Sequence, residues 1–418
     1  MIFDNRLAHV YQDLMQKISA LTISEYDYPL PNEKIARYPL PERDRSKLLV
    51  CRNGCISDHF FYELPDFLME GTLLVLNNTR VIHARLNFQR ASGAKIEIFC
   101  LEPEFPEKDI QLAMQQTDSC VWKCLVGNAK KWKGEKLFLK MQGENTEHNL
   151  TAELLGRSED NFLIRFAWSP SVMSFSQIIE TAGSVPLPPY IRRPAEQSDN
   201  ERYQTVYAAN DGSVAAPTAG LHFTPQVFEK LMKKNITLAH TTLHVGAGTF
   251  RPVQSDDIEK HIMHSEQVVI HKQLINDLLA AKGLIIAVGT TTIRSVESLY
   301  YAGVALIKQG ALPDHISQWA PYDNQGAKYD RSLVLNELRR HMDEHHLEHI
   351  SFSTNMIIIP GYQFKLTDGM VTNFHQPRST LLLLVSAYLG KTWKQVYEHA
   401  LNNAYRFLSY GDACFFMK

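Results

Sequence analysis

Long apolar runs are missing from this sequence. The longest, Leu381 to Val385, lies in a helical stretch ending at Gly390, far short of the ~20 residues that span a bilayer. A surplus of one charge is missing too. The formal net charge is −2 over 418 residues, so binding to nucleic acid or anionic membrane has to come from a local patch. Cysteine is scarce, at six. Cys51 and Cys55 flank the turn-like Arg-Asn-Gly, and Cys120 and Cys124 share a strand-like stretch. Neither pair has the Cys-x-x-Cys spacing of a redox or zinc motif, which leaves free, mostly buried thiols in a reducing compartment. No Gly-x-Gly-x-x-Gly follows a strand, no Walker loop is present, and no segment repeats. The first 22 residues carry Asp4, Arg6, Asp13 and Lys17 without an apolar h-region. They read as an amphipathic helix rather than a signal peptide. A cytoplasmic protein with no membrane segment is expected. Apolar content of 44% and charge of 21% are ordinary for a globular chain, and the length allows two or three domains.

What is present concentrates between Ala215 and Glu266. Histidines, glycines and small residues crowd there, with Pro217, Gly220, Gly246 and Gly248 breaking regular structure. Thr224-Pro225 reads as an N-cap and first helical position, and Ile236 to Val245 as a strand. Any one of these histidines alone reads best as a satisfied core residue. The set His222, His244, His261 and His264 with Glu266 and Arg251 reads as a site.

Around it the texture divides the chain. Asn53-Gly54 joins two strands in a type I′ hairpin signal, and Arg43, Arg45 and Lys47 alternate along an extended stretch. Asn77 to Arg80 end a buried strand and either hold a ligand or cap a turn. Residues 84–168 show short alternating strands without a long helix, the pattern of a small β-barrel or sandwich. Six lysines interleave there with Trp122 and Trp132 between Val121 and Lys140, a solvated face or an RNA-binding edge. After Glu266 the pattern is α/β, with a helix Gln273 to Lys282 closed by Gly283 as C′ residue and a strand Asn355 to Pro360. Gly289-Thr-Thr-Thr-Ile-Arg is a strand-to-helix loop suited to polar ligands, and Asn373-Phe-His-Gln-Pro-Arg-Ser-Thr is another. His341 to His349 has the composition of a metal tract but the charge of a solvated helix face.

Ala216-Pro-Thr-Ala-Gly-Leu-His-Phe, Thr242-Leu-His-Val-Gly-Ala-Gly-Thr-Phe, His261-Ile-Met-His-Ser-Glu and Val288-Gly-Thr-Thr resemble the S-adenosylmethionine:tRNA ribosyltransferase-isomerases. So do Asn77-Asn-Thr-Arg-Val, Pro186-Leu-Pro-Pro-Tyr-Ile, Tyr203-Gln-Thr-Val-Tyr, Val371-Thr-Asn-Phe-His and Arg406-Phe-Leu-Ser-Tyr-Gly-Asp, in the family's order from Tyr26 to Phe416. The sequence departs from the family pattern in its N-terminal helix and a longer segment, about Gly303 to Phe352. The resemblance implies a large α/β domain, three-layer-like, over 24–83 and 169–418. It implies a small all-β barrel over 84–168, after an N-terminal extension over 1–23. It also implies the reaction: the ribosyl part of S-adenosylmethionine passes to 7-aminomethyl-7-deazaguanine at a tRNA wobble position. The product is epoxyqueuosine, and adenine and methionine leave. The donor is a substrate, no metal is expected, the partner is the precursor-modified tRNA, and the protein should be a monomer.

The sulfonium acidifies the ribose 5′ protons, so a neutral base is required, and histidine suits that task near neutral pH. His244 is the first choice, with His222 and His375 in reserve. His264 beside Glu266 suits proton donation to adenine. Asp368 and Glu266 are candidates to hold a cationic amine. Thr218, Gly220, Gly246, Gly248, Thr249, Thr290 and Thr291 should meet the donor, and Arg251 or Arg294 its carboxylate. Arg43, Arg45, Arg80, Lys130, Lys131 and Lys133 are the candidate tRNA contacts. Two other classes compete: a metal-dependent hydrolase using His222, His244, His261 and His264, which a chelator would inactivate, and a noncatalytic RNA-binding protein, which would show no turnover.

Overall fold

The computed structural model describes residues 21–142, 147–158, 161–246, 253, 255–323 and 329–417. Its strands begin with β1 (Lys47–Arg52), β2 (Cys55–Phe60), β3 (Leu73–Asn77), β4 (Thr79–Val81), β5 (Arg85–Gln89), β6 (Lys95–Phe105) and β7 (Ser119–Gly127). Then come β8 (Leu137–Gln142), β9 (Glu147–Arg157), β10 (Phe162–Ser169), β11 (Gly183–Ser184), β12 (Asn210–Ser213) and β13 (Thr237–His244). The last are β14 (Glu266–His271), β15 (Ile285–Val288), β16 (His315–Ile316), β17 (His349–Thr354), β18 (Gly369–Asn373) and β19 (Ala413–Met417).

Ten of these form one sheet in the order β16-β17-β14-β13-β3-β15-β18-β19-β1-β2. Its middle four, β13, β3, β15 and β18, run parallel. Leu73 and Val75 join one apolar core while Leu74 and Leu76 join another; Ile285 with Ala287 and Ile286 with Val288 repeat the split. A strand covered on both faces must divide its side chains this way, because successive residues point to opposite sides. The helices Lys272–Ala280 and Thr290–Gln309 fill the first core, and Pro225–Lys233 fills the second.

Strands β5 to β11 form a separate antiparallel sheet, ordered β11-β5-β6-β7-β10-β9-β8, in which β5 to β10 close into a six-stranded barrel where Gln89 meets Phe138. Leu86, Phe88, Ile98, Trp122, Ile164 and Phe166 fill it. Phe175, from the helix Phe175–Ala182, packs its ring against Trp122, Phe166 and Trp168. A short helix, Ile110–Gln115, interrupts the barrel strands; Asp109 caps it by accepting from the Leu112 amide at 3.1 Å. The protein is therefore mixed α/β, with a large sheet and a closed antiparallel barrel.

Local signals hold where their chemistry is specific. Asn53 and Gly54 take φ of 50° and 78°, the two positive values of a type I′ turn. Cys55 at this turn is exposed, whereas the other five thiols are buried. Thr224 caps its helix through the Val227 amide at 3.3 Å. The Asn77 side chain bridges strand ends, donating to Leu243 O and accepting from its amide.

Other expectations fail for physical reasons. Arg43 to Arg45 form a 3-10 turn, not an extended stretch. Gly283 is no C′ cap: the helix ends at Ala280 with extended Ala281, and a Cβ at Gly283 would stand 2.8 Å from the Gly71 backbone. Asn355 to Pro360 is irregular: the β17 ladder ends at Thr354, and beyond it the amides of Asn355 and Ile357 bond to Ile316 O at the end of β16 and to Gln318 O past it. The segment after Gly310 is built into the fold: β16 and β17 extend the sheet edge, and His341 rides on the helix Arg331–Glu344. The helix expected before residue 21 lies outside the described residues. Among the described residues no helix is long and apolar enough to cross a membrane.

Candidate active site

A cavity of about 1010 Å³ opens beyond the C-terminal ends of the parallel strands. Val245 and Gly246 after β13, Gly289 to Thr291 after β15, and Thr372 to His375 at the end of β18 form one wall. Open α/β sheets bind ligands in this crevice because the loops there gather backbone donors from several strands. The barrel supplies another part of the lining, with Leu101, Glu102, Leu125 and Asn161. Two helices, Thr290–Gln309 and Thr380–Leu389, start at the cavity. Gly289 makes the first start possible: its φ of 95° is open to glycine and strained for other residues. Ser379 caps the second, accepting from the Leu382 amide at 3.3 Å. Both helix N-termini favour anionic groups.

His375 is the buried histidine of this lining. Its Nε2 lies 2.9 Å from Thr372 Oγ1, and its backbone amide donates to Tyr397 OH at 3.0 Å. The Tyr28 hydroxyl donates to its carbonyl. Burial pulls its pKa down to about 4, so the ring is neutral at pH 7. His264 also lines the cavity, with Nε2 3.1 Å from Glu266 Oε1. Glu266, buried at the start of β14, also pairs with Arg294, whose pKa burial lowers to about 10. Arg294 therefore stays charged and neutralises Glu266. Thr218 Oγ1 donates to Asn373 Oδ1 at 2.8 Å; Thr290 and Thr291 lie on the same wall.

Several sequence candidates lie elsewhere. His244 points away from the wall that its neighbour Val245 lines. Its Nδ1 is 3.1 Å from Thr79 Oγ1 and its Nε2 is 3.3 Å from Gln111 Nε2. A Cβ on Gly212 would come within 2.8 Å of its ring. His222 stands behind Asn373, receiving the Asn373 amide at Nε2 (3.1 Å), with Ser46 Oγ 2.8 Å from Nδ1. Burial, then the nearby Arg406, lowers its pKa to about 3; burial lowers that of His244 to about 4. Gly220 is small because a Cβ there would collide with the Tyr207 hydroxyl. Asp368 precedes β18, about 16 Å from Asn373 at the usual strand rise. Its carboxylate accepts the Ile285 amide at 2.9 Å, so it caps the far end of the sheet and holds no ligand in the cavity.

The tRNA candidates also separate. Arg43 donates to the carbonyls of Gln204 and Glu201, Arg45 pairs with Glu42 at 2.7 Å, and Arg80 stands near Glu180 and Asp211. Lys130, Lys131 and Lys133 are exposed on the turn between β7 and β8. Gly248, Thr249 and Arg251 lie outside the described residues. The four histidines offered as a metal set are split, with only His261 and His264 on the cavity wall. Among the described residues no three metal-ligating side chains come together. Sequence reasoning missed Lys260, Ile262 and Arg378 at the cavity. The strand-to-helix pattern from Asn373 to Thr380 is a signal that finds Arg378. Nothing local marks Glu102 or Asn161, which look like solvated strand residues.

The fold and cavity define an α/β protein with a cavity at its strand ends, to which a β-barrel contributes. A family model described as Queuosine biosynthesis protein matches residues 23–416, and the chain belongs to that family. It is 38% identical over 398 residues to a Thermosynechococcus vestitus protein named S-adenosylmethionine:tRNA ribosyltransferase-isomerase, covering 94% of this chain and 95% of the relative. A protein of the same name from Trichlorobacter lovleyi is 37% identical over 399 residues, covering 94% and 99%. The crystal structure of S-adenosylmethionine tRNA ribosyltransferase from Thermotoga maritima aligns with a TM-score of 0.45 at 30% identity, over 94% of this chain and all of that one.

Proposed function

We propose that the chain is an S-adenosylmethionine:tRNA ribosyltransferase-isomerase. It moves the ribosyl part of S-adenosylmethionine onto 7-aminomethyl-7-deazaguanine at a tRNA wobble position, forms epoxyqueuosine and releases adenine and methionine. The observation that carries this reading is the family match over 23–416, which includes every loop of the strand-end wall.

The donor sits on that wall, against Thr218, Gly246, Thr290 and Thr291. Its methionine carboxylate faces a helix N-terminus or Arg378, since Arg294 is occupied by Glu266. The reaction begins with loss of a 5′ proton beside the sulfonium. His375 replaces His244 as the base: it is in the lining and neutral, and in the tautomer that donates from Nε2 to Thr372 the lone pair is on Nδ1. His264, paired with Glu266, hands a proton to departing adenine. We divide the chain into a catalytic domain of 24–83 and 169–418 and a barrel of 84–168; that the ten-stranded sheet takes no strand from 84–168 supports this division. The exposed lysines 130, 131 and 133 hold tRNA phosphates, and the protein works as a cytoplasmic monomer. The test is adenine release from S-adenosylmethionine in the presence of tRNA carrying the aminomethyl base. Adenine appearing only with that tRNA is expected; none with either modified or unmodified tRNA would overturn the reading.

A further inference from the structure

The acceptor base carries an ammonium group, and a cation in a partly closed cavity calls for a carboxylate. Among the described residues of the lining, Glu102 is the one carboxylate. The cations Lys260, Arg294 and Arg378 share that lining, so an ammonium has one favourable partner in the wall.

Glu102 is positioned by an irregularity in β6. The ladder pairs Cys100 with Cys124 and Glu102 with Lys123, leaving Leu101 as an extra residue. Such a bulge bends a strand and re-aims its side chains. Here it brings both Leu101 and Glu102 to the cavity. The neighbouring strands contribute Leu125 from β7 and Asn161 from the turn entering β10, and β6, β7 and β10 are adjacent in the barrel. Asn161 adds an independent sign: its Oδ1 is buried and has no hydrogen-bond partner among the described residues. A buried acceptor left unmatched is costly, and a ligand donor would satisfy it.

Glu102 is also available. Its cation neighbour Lys123 lies 3.6 Å away and is closer to Glu104, at 3.1 Å. The side chain of Glu102 is 57% exposed, so that pairing is weak. Burial of an incoming ammonium against it would strengthen the attraction.

We infer that this outer face of the barrel recognises the acceptor base: Glu102 takes its ammonium, Asn161 Oδ1 accepts from a polar edge, and Leu101 and Leu125 supply apolar contact. The inference rests on the proposed function. It makes Glu102 a specificity residue, and makes the barrel the part of the protein that distinguishes the modified tRNA from the unmodified one.

The experiment uses the full chain and its Glu102→Gln variant. Binding is measured to one tRNA species carrying either the aminomethyl base or guanine at the wobble position, and turnover is followed by adenine release. Loss of a charge-assisted contact should raise KM for the modified tRNA about ten- to a hundredfold. Preference over the guanine form should fall by the same factor, while KM for S-adenosylmethionine stays constant. Lys123→Ala, which leaves the carboxylate in place, should keep the preference and controls for disturbance of the strand pair. A Glu102→Gln protein with wild-type preference overturns the inference, as does one whose defect lies in KM for S-adenosylmethionine. If the wild-type chain itself releases no adenine, the proposed function fails first and takes this assignment with it.

Discussion

A histidine that removes a proton beside a sulfonium must be neutral before it acts, and burial is the means this protein has of keeping it so. His222, His244 and His375 all share that condition, with pKa values of about 3, about 4 and about 4. Only His375 combines it with a place in the cavity lining. His375→Asn is therefore expected to keep donor and tRNA binding and to lose ~10²–10⁴-fold in turnover, the usual cost of a missing general base. Adenine release, followed together with solvent deuterium exchange at the 5′ position, measures it. His244→Asn should retain turnover and lose stability, since its ring joins the end of β13 to the barrel's short helix. Wild-type exchange in His375→Asn, with exchange lost in His244→Asn, would reverse the two roles.

The same three rings set a pH dependence of folding. In the unfolded chain each takes up a proton near pH 6.5, whereas in the folded chain each stays neutral to about pH 4 or below. The unfolded state thus binds more protons in that window, and stability falls as pH drops from about 6.5 toward about 4. The slope is about 1.4 kcal/mol per pH unit for each ring protonated only when unfolded. Urea melts between about pH 7 and about pH 5 read it, and a stability flat across that range would contradict the buried, neutral assignment.

Elements position these groups, and some can be tested one at a time. Gly289 starts the Thr290 helix at a φ of 95°, where a Cβ would make only ordinary contacts, the nearest with Thr291 Oγ1 at 3.6 Å. Gly289→Ala should therefore cost about 1–3 kcal/mol through backbone strain alone, seen as a lower urea midpoint. The turn between β7 and β8 carries its lysines outward while Trp132 is buried beneath them, its Nε1 donating to Glu135 O at 2.7 Å. Replacing Lys130, Lys131 and Lys133 with alanine should weaken tRNA binding and flatten its salt dependence by about one unit of log–log slope per lost contact. An unchanged slope would return the turn to an ordinary solvated surface.

At the scale of the whole molecule, legibility followed the range of the forces involved. Continuous apolar runs such as Leu73 to Leu76 announced strands buried on both faces, because each face of the sheet needs its own side chains. Asn53-Gly54 and Thr224-Pro225 fixed a turn and a helix start through bonds within four residues. Proximity across the fold was not legible. His222 and His264 are similar in local pattern, yet one ended behind Asn373 and the other on the cavity wall. Glu102 became visible only once the barrel was folded against the strand ends. Arg43 looked free for RNA until its guanidinium was found bound to two carbonyls.

The β1–β2 turn has a practical consequence. Cys55 is the exposed thiol among six, and the remaining five are buried. It stands at the end of the sheet opposite the cavity, since Arg52 aligns through Met417 with Gly369, while Leu48 aligns through Ala413 with Asn373. The native chain should therefore accept one maleimide dye per molecule rapidly, and denaturant should release the others to a colorimetric thiol reagent. More than one fast-reacting equivalent would contradict the burial of the rest. A fluorophore placed there leaves the strand-end loops untouched. Paired with a dye on the anticodon arm of a bound tRNA, it would give a distance by energy transfer and so the direction in which the RNA lies across the protein.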